Sequence, residues 1–352
     1  MRFPKFLRRF GRDIGIDLGT ANTLVYVRER GIVVNEPSVV AVNTRTGQII
    51  AVGEDAKKMV GKTPAHITAT RPLVHGIISD FEVTEKMLRY FIEKVLGGSR
   101  SFLTRPRVVV GIPLEITEVE RKAVEDAVLS AGAREVFLIE QPIAAALGAR
   151  LPIEESVGTL VVDIGGGTTD IAVISLGGIV ASRSLKAAGD ELNRNIVAYV
   201  RDHFNLDLGE RNAEIVKVRI GTAAPLEEPL EMPVRGRDIV TGLPKEVMVN
   251  DEQIREAMQR TVRAIADGVR AVLEVTPAEL VSDIYERGMV LTGGGALLKG
   301  MDAVLAAATD VHVRVAEDPL TCVVRGTGML LDDTDLLREV RVPSAQSNPA
   351  TV

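Results

Sequence analysis

Residues 161–175 read VVDIGGGTTDIAVIS, and the apolar, β-branched runs on either side of a Gly-Gly-Gly-Thr-Thr turn predict two buried strands joined by a tight loop. An acid stands at each end of the turn. Three consecutive glycines let backbone N–H groups converge on a small anion with no side chain in the way, and the threonines add hydroxyl donors. Gly165, Gly166, Gly167 and Thr168 are therefore candidates to cradle a phosphate. Asp163, at the end of the first strand, would face that phosphate and needs a cation between, most simply Mg²⁺ held through water. Taken alone, the stretch fits an ordinary glycine-rich hairpin equally well.

The plan recurs. Residues 13–27, DIGIDLGTANTLVYV, again run strand, Asp, Gly, Thr, strand, with Asp17 in the place of Asp163. Two acids and two donor loops can clamp one polyphosphate from opposite sides, so the repeat favours a nucleotide site over two unrelated hairpins. A third glycine turn lies in GMVLTGGGALLKGMD, which predicts a strand, a Gly293-Gly294-Gly295 turn and a helix, and suits a flat base or ribose lying against backbone.

The 352 residues are 46% apolar, enough to bury substantial cores in two or more domains. Trp is absent and aromatics make up 3%, which argues against aromatic stacking platforms for nucleic acid, as does the net charge of −6. The single cysteine, Cys322, can form neither an intrachain disulfide nor a metal cluster and fits a reducing compartment. No apolar run reaches the ~18 residues of a spanning helix, and the first residues lack a continuous apolar region with a cleavage site, so neither export nor spanning is expected.

The first ten residues, MRFPKFLRRF, space Phe3, Phe6, Leu7 and Phe10 as one helical face against Arg2, Lys5, Arg8 and Arg9, the pattern of a short membrane-surface helix. A loop with Phe102 and Leu103 between Arg100 and Arg105 could dip into the same headgroup region. A frayed terminus and a phenylalanine folded onto its own core are the plainer alternatives.

Between these landmarks, residues 31–76 mix short strands with a helix over EDAKKMVGK, as a small inserted subdomain. Asp80 caps a helix with Met87, Leu88, Phe91, Ile92 and Val95 on its apolar face, and Thr117 with Glu120 forms a capping box for the next. The strand EVFLIE ends at Glu140, and the alanines of the QPIAAALGA helix allow close approach to a neighbour. A carboxylate at that strand end could orient or deprotonate an attacking water, or could simply favour the helix N-terminus. Further helices are predicted from near Asp190, over 205–220 and over 251–275, with strands and turns between 222 and 245. One more strand–helix passage precedes a loose tail.

The two Asp-Gly-Thr turns, the EQPIAAA segment and TGGGALLKG together resemble the ATPase superfamily of actin, the 70-kilodalton heat-shock chaperones and sugar kinases. Within it, GIVVNEPSVVAV, FLIEQPIAAALGA, VVDIGGGTTDIAVISLG and LVSDIYERGMVLTGGGALLKGMD closely resemble the MreB family of bacterial actin homologues, from Asp13 to about Asp335. The resemblance implies an α/β actin-like ATPase fold: duplicated domains with mixed five-stranded sheets and two small inserted subdomains around a nucleotide cleft. It places subdomain IA at 13–33, 72–147 and 326–342, IB at 34–71, IIA at 148–182 and 250–325, and IIB at 183–249, with a membrane-contacting segment at 1–12 and a flexible tail at 343–352.

By position, the resemblance matches Gly19, Thr20, Ala21 and Asn22 to the first phosphate loop and Gly165 to Thr168 to the second. It matches Asp17 and Asp163 to the acids that hold Mg²⁺, and Glu214, Ile215, Val216 and Lys217 to the adenosine side. Gly293, Gly294, Gly295, Ala296 and Leu297 match the turn beneath the nucleotide, and Glu140 and Thr168 the residues that position the hydrolytic water. The implied cofactors are ATP and Mg²⁺. The implied work is filament formation: head-to-tail, paired protofilaments on the inner face of the cytoplasmic membrane, contacting its lipids and the wall-elongation membrane proteins that keep a cell rod-shaped. A chaperone-like ATPase or a small-molecule kinase of the same superfamily is the alternative.

Overall fold

The sequence repeat becomes a repeat of sheets. Strands β1 (Ile14–Leu18), β2 (Asn22–Val27) and β3 (Gly31–Pro37) run antiparallel as a meander. The computed structural model describes residues 13–97 and 105–343; the expected membrane contacts Phe3, Phe6, Leu7, Phe10, Phe102 and Leu103 lie outside the described residues. After β3 come β4 (Val40–Asn43), β5 (Ile49–Val52), helix α1 (Glu54–Met59) and β6 (Ile67–Thr70), with β4 central in a three-stranded sheet. The small pair β7 (Leu73–Val74) and β8 (Ile77–Ile78) leads to α2 (Phe81–Leu96), capped by Asp80, whose carboxylate accepts from Val83 N at 3.0 Å. Next are β9 (Arg107–Ile112), α3 (Glu118–Ser130), β10 (Glu135–Glu140) and α4 (Gln141–Gly148). The capping box of Thr117 and Glu120 is present at the start of α3. β9 and β10 add parallel to β1, giving the sheet order β10-β9-β1-β2-β3.

The second half has the same plan. β11 (Thr159–Ile164) pairs antiparallel with β12 (Thr169–Ser175), which is flanked by β13 (Gly178–Leu185). There follow α5 (Gly189–Phe204), β14 (Leu206–Asp207), α6 (Glu210–Ile220), β15 (Glu231–Asp238), β16 (Pro244–Asn250), α7 (Asp251–Val275) and α8 (Ala278–Arg287). β17 (Met289–Thr292), α9 (Met301–Thr309) and β18 (Val313–Val315) complete it, with β17 and β18 parallel to β11 in the order β13-β12-β11-β17-β18. Each five-stranded sheet is therefore mixed, three parallel strands continued by a hairpin, and each has its own core. β1 and β11 are apolar almost without alternation because both faces are covered.

The chain closes with α10 (Cys322–Asp332) and α11 (Thr334–Val340), which return to the first half. Contacts divide the molecule into unit 1, the described residues up to 155 with 176–178 and those from 321 onward, and unit 2, residues 156–175 and 179–320. The neighbour that the alanines of α4 admit is α10. A Cβ on Gly326 would fall 1.8 Å from Ala144 O and one on Gly148 1.8 Å from Cys322 O, so the two helices touch backbone to backbone.

Three expectations change. The helix predicted over 205–220 begins only at Glu210: Asn205 closes α5 with φ 50°, and Leu206 and Asp207 then pair with β15, where Arg237 meets Asp207 at 2.9 Å. The helix after the third glycine turn is preceded by a 3₁₀ turn over Gly294–Leu297 and starts at Met301, because Gly300 breaks the path at φ 74°. Helices α8 and α11 add to the elements expected from the sequence.

Candidate functional site

In unit 1, Asp17 sits at the carboxyl end of β1, paired in register with Gly111 of the parallel strand β9, and Gly111 in turn with Ile139 of β10. Asp17 and Glu140 thus end two parallel strands of one sheet with one strand between them, ~10 Å at ordinary strand spacing. The carboxyl ends of parallel strands are where open α/β sheets place ligands. Register also brings in a residue the sequence reading did not single out: Gln141 Nε2 donates to Asp17 Oδ1 at 3.3 Å and so fixes that carboxylate.

The loop from Gly19 to Asn22 is held from outside. Ser38 Oγ donates to Gly19 O at 2.6 Å, and Gly76 N donates to Thr20 Oγ1 at 2.7 Å. A Cβ on Gly19 would stand 2.6 Å from Asn22 O, so only glycine lets the turn close this tightly. Glu140 is partly buried at the junction of β10 and α4, and burial raises its pKa above the ordinary carboxylate value.

Unit 2 assembles its candidates more densely. Asp163, 6% exposed, ends β11 and pairs in register with Thr292 at the end of β17. Thr292 Oγ1 donates to Asp163 Oδ1 at 2.8 Å, which favours the ionised form, but burial outweighs it and the carboxyl is pushed up to about 6. Gly165 N closes the loop on Thr168 O at 2.8 Å. The loop is tied to the start of α5, where Gly189 N donates to Gly165 O at 3.1 Å and Asp190 N to Gly166 O at 2.8 Å. Lys217 Nζ, from α6, donates to Gly189 O at 2.9 Å, and Thr168 Oγ1 donates to Asp170 Oδ2 at 3.0 Å.

The third glycine turn belongs to the same cluster. Gly293 has φ 78°, and a Cβ there would lie 2.4 Å from Ile164 O and 2.8 Å from Asp163 Oδ1; one on Gly295 would meet Ile164 Cγ2 at 2.2 Å. The turn therefore lies directly on the Asp163 strand end. Of the other residues matched here, Glu214 and Lys217 are partly buried one turn apart on α6, Ile215 is exposed, and Val216 is in the core of unit 2. Ala296 is buried and Leu297 is 55% exposed.

Among the described residues, no group of three or more His, Cys, Asp or Glu could hold a metal unaided. A buried carboxylate, Asp163, and a partly buried one, Asp17, each beside a glycine turn, suit a hard cation that arrives with phosphate and keeps most of its water, as Mg²⁺ does. The fit is one of chemistry: Asp163 is costly to ionise in its pocket unless positive charge is brought beside it.

Two mixed five-stranded sheets of one topology, each with an Asp-ended strand and a glycine turn, define an actin-like fold. The sequence model of the MreB/Mbl protein family matches residues 11–339. The chain is 52% identical over 337 residues to the cell shape-determining protein MreB of Escherichia coli, covering 94% of this chain and 96% of that one. It is 50% identical over 328 residues to the cell shape-determining protein Mbl of Bacillus cereus, covering 93% and 98%. MreB5 of Spiroplasma citri bound to ADP superposes with a TM-score of 0.88 at 39% identity, over 92% of this chain and 97% of that one; its AMPPNP-bound form gives the same values. The chain belongs to the MreB/Mbl family.

Proposed function

We propose that this chain is a Mg²⁺-dependent ATPase that assembles into membrane-associated filaments and so takes part in setting rod cell shape. The observation that carries the reading is the duplicated strand end: Asp17 beside the Gly19–Asn22 turn, and Asp163 beside both the Gly165–Thr168 and Gly293–Leu297 turns. The nucleotide-bound relative and the names of the cell shape-determining relatives support it.

In this reading the turn amides of both hairpins bind phosphate, and Asp17 and Asp163 hold Mg²⁺ through its water. When bound, the ion neutralises phosphate charge, which matters in a chain without a P-loop lysine. Glu140, its pKa raised by burial above the ordinary carboxylate value, would take a proton from the attacking water. Thr168 donates its hydroxyl hydrogen bond to Asp170, which leaves its oxygen lone pairs to accept from that water and orient it. Glu214 and Lys217 serve the adenosine side.

We assign residues 34–71 and 183–249 as the two insertions of the fold, and residues 1–10 with Phe102 and Leu103 as the membrane contacts. No described helix is long and apolar enough to cross a membrane. In this reading the short amphipathic contacts attach at the membrane surface, with many weak copies acting together along a filament. Head-to-tail stacking is a heterologous contact that does not close on itself. The test is sedimentation of the purified chain with Mg-ATP, with phosphate release followed in parallel. Concentration-dependent pelleting is expected; phosphoryl transfer to a sugar without pelleting would assign the chain to the kinase branch instead.

A further inference from the structure

Unit 1 has a groove that the nucleotide chemistry does not use. A cavity of about 390 Å³ opens between the end of α4 with its following loop and the α10–α11 corner. Its floor is apolar, formed by Leu147, Ile153 and Leu336, with Met329 on one side 46% exposed. Its rim is acidic: Glu154, Glu155 and Asp333 are exposed there, against the single cation Arg150. An apolar trough with a rim of net charge −2 suits a short basic segment with large apolar side chains on one face.

The chain carries such a segment, and its point of attachment is beside the groove. Asp13 is pinned to the end of α10: Arg107 Nη2 donates to Asp13 Oδ2 at 2.9 Å and to Leu331 O at 3.1 Å. Arg28 reinforces the link, its N–H donating to Asp13 O at 3.2 Å while its side chain pairs with Asp332 at 2.6 Å. Leu331 lies two residues from both Met329 and Asp333. Only Gly11 and Arg12 separate Asp13 from Phe10 in the sequence, a link that can span at most ~10 Å, about one helix diameter.

We propose that residues 1–10 dock at this groove of their own chain, with Phe6 entering the cavity beside Met329 and Arg2, Lys5, Arg8 and Arg9 facing the acidic rim. Four basic residues and no acid in the segment complement the rim charge. Docking takes up Phe6, which would also enter a lipid surface, so groove and membrane compete for that side chain. That consequence rests on the membrane reading of residues 1–10, whereas the docking itself does not.

The test places a photo-reactive group in the full chain, Phe6→p-benzoylphenylalanine, and maps its adducts by mass spectrometry without lipid present. Adducts to residues 147–155 or 329–336 in the monomer band are expected, with Met329 the favoured target. Glu154→Lys with Glu155→Lys, or raising the salt to ~1 M, should each lower the groove adduct ~5-fold. Adducts only elsewhere, none at all, groove adducts confined to cross-linked dimers, or a yield indifferent to both rim charge and salt would overturn the proposal. Because no vesicles are used, any of these leaves the membrane reading standing, and that reading is tested separately.

Discussion

Asp163→Asn exchanges the buried carboxylate for a neutral group of the same shape, and the structure dictates how stability should respond to pH. The folded carboxyl is pushed from 3.8 to about 6, chiefly by burial. A carboxyl raised in this way contributes stability in its protonated form below the unfolded value, and that contribution disappears as pH rises through the folded value. The full change is ~3 kcal/mol at 1.36 kcal/mol per pKa unit, of which ~2.4 kcal/mol falls between pH 4 and pH 7.5. The asparagine cannot ionise, so it keeps the Thr292 hydrogen bond and loses the pH dependence. Burying its amide N–H₂ group can cost ~1–3 kcal/mol, but that offset is the same at every pH. The measurement is therefore the difference in melting temperature between variant and native chain, without nucleotide, from pH 4 to pH 7.5. It should move in favour of the variant by roughly 5–10 °C across that window and level off above pH 7. Mg-ATP at ~100 times its Kd should then raise the native chain by ~2.7 kcal/mol and the variant by much less. A difference that stays flat with pH would show that Asp163 carries no ionisation penalty and would refute the reasoning.

Glu140→Gln should slow phosphate release by at least ~10²-fold while ATP affinity changes little; equal loss of both would make the residue structural. Gly326→Ala places a methyl 1.8 Å from Ala144 O and should destabilise unit 1 by ~1–3 kcal/mol, read by urea unfolding, whereas an unchanged midpoint would mean that α4 and α10 are not in backbone contact. Gly293→Ala adds a Cβ at φ 78° beside Ile164 O and should lower both stability and nucleotide binding, with binding measured by calorimetry. Deleting residues 1–10 together with Phe102→Ser and Leu103→Ser should reduce co-sedimentation with anionic vesicles, and an unchanged pellet would remove the membrane assignment.

The two Asp hairpins were legible because each carries its evidence locally: alternating strands, a glycine turn and an acid at the strand end. Helices α2 and α3 were legible for the same reason, since Asp80 and Thr117 announce their starts. Helices α8 and α11 do carry apolar stripes, Leu280, Val281 and Ile284 in one and Leu336, Leu337 and Val340 in the other, but at ten and seven residues each spans too few turns to stand out from the segments beside it. β14 is two residues long and exists only because β15 is there to pair with it. In the site, Gln141 and Thr292 became visible only through strand register, which sets Gln141 near Asp17 and Thr292 against Asp163 across long sequence separations. Residues 214–217 carry no local chemical signal at all; they came from resemblance, and one of them, Val216, belongs to the core.

The backbone contact between α4 and α10 bears on how the chain is made. All eight residues of α4 are buried in the finished molecule, and much of their cover is α10, which leaves the ribosome long after α4 does. At ~5–20 residues per second the delay is on the order of 10–35 s. Unit 2, apart from three residues, is an uninterrupted stretch from 156 to 320 and has all its own strands before α10 is synthesised. The usual order of synthesis is thus reversed: the half that begins first finishes last, with an uncovered helix as the surface that a nascent-chain chaperone would meet.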